Sequence, residues 1–230
     1  MESIRAMSRT LIVTPLQEEY TGLQNSLSAL GLKSDTERIG KLETHCFPEI
    51  KVTLAPGGHG KTQFGIQTQH LLDHAVFDLV ICAGAAGALA PEVKVGDLIL
   101  ATSTLEHDYN LKFSVRPKPQ FAGDAKSIEQ IKALNLADAN FSIHFGMMAG
   151  GDEDVIDIVR GAELYRAHNA LAVAWEGVGG ARACAFSEIP YLEIRGATDT
   201  ANHEAPVVFD DNLKIVMKNI AFLLYRWLKK

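Results

Sequence analysis

Apolar residues recur along the chain in two alternating rhythms. Short β-rich runs, several of them apolar at nearly every position, cover residues 10–15, 50–55, 77–84, 97–103, 141–150, 170–176 and 191–199. Their length and continuity are those of strands buried on both faces. Between them the apolar positions return at helical intervals. Tyr20, Leu23, Leu27 and Leu30 share a face over residues 17–30, and Phe64, Leu71 and Leu72 share one over 61–74. Residues 155–167 and 177–189 read as further helices, and Leu213, Val216, Ile220, Leu224 and Trp227 or Leu228 form a stripe over 212–228. Strand and helix in alternation predict one α/β domain, a mixed, mostly parallel twisted sheet flanked by helices. The domain is expected over residues 10–230, with residues 1–9 as a disordered extension. The prolines and glycine of residues 114–125 predict a surface loop.

Composition narrows the partners. A formal charge of −6 and a pI near 5.7 give no broad basic footprint, so nucleic acid is not an expected partner. Three widely spaced cysteines, Cys46, Cys82 and Cys184, suit free thiols in a reducing compartment, and the cytoplasm is the expected location. The longest apolar run, residues 79–90, is rich in Gly and Ala and falls short of the ~20 residues that span a bilayer, so no membrane or export segment is expected.

Two motifs suggest other chemistry and lack its context. "APGGHGKT" at residues 55–62 is one residue from a phosphate-binding loop. A nucleotide triphosphatase also wants a strand that ends in a magnesium-binding acid, and the run 77–84 ends in small residues. His70 and His74 stand four apart on a predicted helix, a zinc-compatible spacing without a third ligand, and no metal is expected.

Open α/β sheets bind ligands at the carboxyl ends of their strands, and here those ends are acidic or small. Glu18 and Glu19 open the helix after the first strand, "GAAGA" at residues 84–88 reads as a turn that lets a ligand approach backbone, Trp175 and Glu176 end one run, and Asp199 ends another. Glu176 and Asp199 stand 23 residues apart, the length of one crossover. If their strands are parallel neighbours, both acids project from one rim.

The segments "LQEEY", "VICAGAAGALAPEVKVGDLIL", "EHDYN", "AGGDEDVI", "AVAWEG" and "RGATDTANHEAPVVF" occur in the order and spacing of the nucleoside phosphorylase and nucleosidase superfamily. The chain looks most like its 5'-methylthioadenosine/S-adenosylhomocysteine nucleosidases, from about Thr10 into the C-terminal helix. This resemblance implies cofactor-free hydrolysis of the N-glycosidic bond of a small-molecule purine nucleoside. It implies Glu19 as general base toward water, Asp199 as the acid that protonates N7 of the purine, Glu176 on the ribose hydroxyls and Arg195 near the water. Gly84, Ala85, His59, Asp154, Val155, Trp175 and Phe209 fall at its nucleoside-pocket positions, with "GGHGKT" as pocket wall. Leu111 and Phe113 follow "EHDYN" in the region that reaches into a neighbouring subunit's pocket, which implies a homodimer.

The chemistry itself asks for such a set. A departing purine leaves an oxocarbenium-like sugar, so an acid for the base, a base for water and negative charge near the ribose are all required. A buried Asp199 would hold its proton while a better-solvated Glu19 stays ionised. Phosphorolysis is the nearest rival, but the places where phosphorylases of the superfamily set phosphate-binding arginines read Cys82-Ala83 and "TPLQEEY" here. Four pocket positions depart from the methylthioadenosine enzymes: His59 for an aliphatic residue, Ala85 for a hydroxyl, Asp154 for an aromatic and Trp175 for a methionine. They leave open a related nucleosidase for another substrate such as futalosine. A noncatalytic nucleoside-binding protein would have no need of Glu19 and Asp199 together.

Overall fold

The computed structural model describes residues 9–229. Ten strands and six α-helices follow in the order β1 (Thr10–Thr14), α1 (Gln17–Ala29), β2 (Asp35–Ile39), β3 (Leu42–Phe47), β4 (Val52–Pro56), α2 (Lys61–His74), β5 (Leu79–Ala88), β6 (Leu98–Glu106), β7 (Gln120–Ala122), α3 (Ala125–Lys132), β8 (Ile143–Gly150), α4 (Ile158–His168), β9 (Ala170–Ala174), α5 (Gly177–Phe186), β10 (Tyr191–Asp199) and α6 (Ala205–Leu228). Of the expected extension, residues 1–8 lie outside the described residues. Arg9 is anchored, with its guanidinium on Glu37 and Thr53 and its backbone N–H on Asp78.

The near-continuous apolar runs have a direct cause, because helices cover both faces of the central strands. Ile12, Ile81, Leu192 and Ile194 point into a core shared with α1 and α6. Their neighbours Leu11, Val13, Val80, Cys82 and Tyr191 point the other way, against Phe64 and Leu71 of α2 and Ala181 and Cys184 of α5. Alternate residues of a strand face opposite sides, so a sheet covered twice needs apolar residues at every position.

β4, β1, β5 and β10 are parallel neighbours in that order, and the β2–β3 hairpin extends the β4 edge antiparallel. On the other side β10 pairs β6 antiparallel, β6 and β8 and then β8 and β9 are parallel, and β9 returns to β5 antiparallel. Five strands therefore close on themselves, and the mixed sheet holds parallel and antiparallel pairings in equal number. This closure corrects two expectations. β9 and β10 are not parallel neighbours, since β5 lies between them and β9 runs opposite to it. Residues 84–88 are not a turn: they are the end of β5, extended because β9 and β10 both pair with it. Within the expected loop 114–125, residues 120–122 form β7 on the edge of β6. Among the described residues no helix is long and apolar enough to cross a membrane.

Candidate active site

A cavity of about 400 Å³ opens beyond the carboxyl ends of β1, β5 and β10. Its floor holds the acids that the strand ends supply. Glu19 lies in the first turn of α1, where its Oε2 accepts the Leu16 N–H at 2.7 Å and fixes the helix start. Its Oε1 reaches across to the Ala85 N–H, also at 2.7 Å. Burial pushes the Glu19 carboxyl up to about 7; the Arg195 charge opposes that rise, Glu176 adds to it, and the two N–H groups oppose it again. The expectation of a better-solvated Glu19 is corrected here. Glu19 is 2% exposed and Asp199 is 9%, since the Glu19 carboxylate points inward from the first turn of α1 onto the Ala85 N–H of β5.

Asp199 ends β10, just after a register slip against β5. Its Oδ1 accepts the Ala201 N–H at 2.8 Å and its Oδ2 accepts the Thr198 hydroxyl at 2.8 Å. Burial raises its pKa, and those two hydrogen bonds oppose the rise. Ala201 presents its N–H from a left-handed backbone (φ 50°), a conformation that costs an L-residue on the order of 1 kcal/mol.

Glu176 stands directly before α5. Its Oε1 accepts the Gly60 N–H at 3.3 Å and faces His59 Nδ1 at the same distance, while its Oε2 accepts from Arg195 at 3.3 Å. Arg195, 1% exposed, joins the floor together: Nε donates to Glu193 at 2.8 Å, and the two terminal nitrogens donate to the Ala85 carbonyl, the Cys82 sulfur and Glu176. Gly84 does not line the cavity. It lies beneath it, where a β-carbon would crowd the Glu19 carboxylate and the Arg195 guanidinium.

The glycine turn before α2 has a different use from phosphate binding. Gly58 and Gly60 take φ of 79° and 80°, the Gly60 and Lys61 N–H groups point at Glu176 and Asp152, and the Lys61 ammonium bonds Glu106 and Asp108. Carboxylates occupy the positions a phosphate would need. His70 and His74 are likewise engaged, His70 Nε2 with the Lys41 N–H and His74 Nδ1 with the His70 carbonyl.

The rim is assembled from loops and helix starts. His59 lies against Trp175 with ring centroids 4.4 Å apart, and Asp154, Val155 and Phe209 also line the cavity. Val155 is buried with Ala201 in one apolar cluster, which sets the 153–156 segment beside Asp199. Ala85 lines the cavity next to Glu19. Leu111 and Phe113 do not reach this cavity and are 42% and 105% exposed. Three residues escaped the sequence reading. Thr198 holds Asp199, Glu153 is forked onto Arg160 at 2.6 and 2.8 Å, and Glu193 is buried under α5. The signal for Glu193 was a charge two residues before an arginine within an otherwise apolar strand.

Chemically, this floor offers two buried carboxyls with raised pKa values, Asp199 and Glu19, and a third acid, Glu176, on the same cavity. Residues 9–229 match the family model described as the phosphorylase superfamily. A 5'-methylthioadenosine/S-adenosylhomocysteine nucleosidase of Tolumonas auensis is 29% identical over 187 residues, 78% of this chain and 81% of that protein. Among solved structures, the Neisseria meningitidis 5'-methylthioadenosine/S-adenosylhomocysteine nucleosidase in complex with methylthio-immucillin-A superposes with a TM-score of 0.84 at 24% identity, covering 97% of this chain and 99% of that one. Futalosine hydrolase of Helicobacter pylori strain 26695 shares the fold with a TM-score of 0.83 at 22% identity, covering 96% and 97%.

Proposed function

This chain belongs to the phosphorylase superfamily, and we propose that it hydrolyses the N-glycosidic bond of a 5'-modified purine nucleoside of the methylthioadenosine/S-adenosylhomocysteine kind. The observation that carries this reading is the convergence of Glu19, Glu176 and Asp199 on one cavity. Protonated Asp199 gives its proton to N7 of the purine, and the glycosidic electron pair leaves with the base. Glu176 holds the ribose hydroxyls and faces the cationic sugar. Glu19 takes a proton from the water that adds to C1', releasing free base and a 5-modified ribose.

Water is favoured over phosphate by charge. Arg195 is the one Arg or Lys among the described lining residues, and its donors are already committed to Glu193, Glu176, Cys82 and the Ala85 carbonyl. A phosphate dianion would find no free cation there and would meet Glu19. A second reading, a nucleosidase for another 5'-modified nucleoside such as futalosine, draws on the polar His59 and the broad face of Trp175 beside Glu176. The exposed Leu111 and Phe113 are proposed to complete the cavity of a second copy in a homodimer, and the cytoplasm is the proposed location.

The test is base release from a panel holding methylthioadenosine, S-adenosylhomocysteine, futalosine and unmodified adenosine and inosine, each with and without phosphate. Phosphate-independent release from the 5'-modified members is expected. Strict phosphate dependence overturns hydrolysis, and tight binding without release overturns catalysis.

A further inference from the structure

The mechanism above leaves the buried charge of Glu193 unused. Glu193 is 1% exposed in the middle of β10, and nothing in an apolar strand requires a carboxylate there. Burying one is costly unless it is fully partnered. It is partnered, with Oε1 accepting Arg195 Nε at 2.8 Å and Oε2 accepting the Thr104 hydroxyl at 2.6 Å. The first residue of α5 runs directly over this carboxylate, and a β-carbon on Gly177 would overlap it. Tyr191, Glu193 and Arg195 share one face of β10, and the Tyr191 hydroxyl donates to the Gly177 carbonyl at 2.8 Å, so the helix start is tied to the same row.

Arg195 serves three acids with one positive charge. Its shortest contact is to Glu193, its contact to Glu176 is 3.3 Å, and it makes no hydrogen bond to Glu19. We propose that Glu193 is a positioning residue that commits the Arg195 guanidinium to one orientation and keeps its charge from neutralising Glu19. Without this competitor the arginine acts more fully on Glu19, which becomes a stronger acid and a weaker base. The charged and titratable groups around the pair are few. Beside Glu193 and Arg195 themselves, Tyr191 comes from β10, Cys82 from β5, Glu176 from the start of α5 and Glu19 from α1.

The assignment rests on Glu19 as the base, so its test reads Glu19 without substrate. Side-chain carboxyls of the full chain are labelled with ¹³C-glutamate and followed through a pH titration, the Glu19 resonance being identified by its absence in Glu19→Gln. The parent midpoint is expected near 7. In Glu193→Gln it falls by about one pH unit, and the acid limb of kcat/KM moves down with it. Glu193→Asp retains the charge and stays at the parent midpoint. An unchanged midpoint in folded Glu193→Gln, or equal shifts for Gln and Asp, overturns the proposal. Where Glu193→Gln does not fold, Glu193→Met removes the same charge at similar length and is held to the same outcome. In the parent, the Arg195 Nε–H is expected to exchange slowly with solvent, and fast exchange also counts against the proposal. Absence of nucleoside hydrolysis would sink the functional reading and leave this titration standing.

Discussion

The floor and the rim of the cavity are built by opposite rules. On the floor Glu19, Glu176, Glu193 and Arg195 are each at most 4% exposed, and every one of them has a hydrogen-bond partner fixed by a strand or a helix start. On the rim the His59 side chain is 54% exposed and Asp154 stands open to solvent. Closed strands can hold several charges at low exposure because backbone and side-chain partners are in place before any ligand arrives. Loops cannot supply that order, and they are where substitutions cost little stability. On the proposed function, the floor is where the reaction is set and the rim is where the substrate is chosen.

The largest effect that would separate the two belongs to Asp199. In Asp199→Asn the amide still accepts and donates within the Thr198 and Ala201 contacts, so the fold and nucleoside binding are expected to persist. Turnover falls on the order of 10²- to 10⁴-fold, because no acid remains for the leaving purine. Calorimetric binding of a non-hydrolysable nucleoside analogue beside single-turnover base release checks both halves. Parent-rate cleavage would move Asp199 out of the floor's chemistry altogether.

An intermediate effect belongs to His59. It bonds no backbone and touches the floor only through Glu176, so His59→Leu leaves the catalytic acids in place. The expected outcome is a changed ranking of 5'-substituents, with kcat/KM shifting about tenfold toward apolar ones, the size that a single pocket contact commands. The panel described above measures it. A uniform loss for every substrate would instead make His59 part of the floor.

How much of this was legible in sequence follows the same division. The strands that lead to Glu19's helix, Asp199 and the segment before Glu176 announced themselves, since a run such as "TLIVTP" can be apolar so continuously only between two covered faces. The β2–β3 hairpin did not, because "DTERI" and "LETHCF" lie at a sheet edge and alternate weakly with charge. Residues 84–88 hid for another reason. Gly and Ala have low strand propensity, and only pairing with β9 and β10 makes them a strand. The raised pKa of Glu19 was beyond local pattern, since it depends on burial of its carboxylate against the Ala85 N–H of β5, and Glu193 was passed over because no motif singled it out beside Arg195 and Asp199. The C-terminal helix starts at Ala205, with Pro206 in its first turn, ahead of the apolar stripe that pointed to it.

The smallest effect expected within one chain is that of Phe113→Ser, and it is the most informative about where the rim ends. Phe113 is 105% exposed, so its loss removes no packing and should change stability by no more than about 0.5 kcal/mol. If the exposed segment carrying Leu111, Phe113 and Val115 finishes the cavity of a second copy, the variant instead weakens association and substrate binding together. Sedimentation gives the first and KM gives the second, and both should recover as protein concentration rises, which no defect confined to a single chain would do. A variant that stays monomeric at every concentration with parent KM would show that each copy's rim is complete by itself, and floor and rim would then belong to the same molecule.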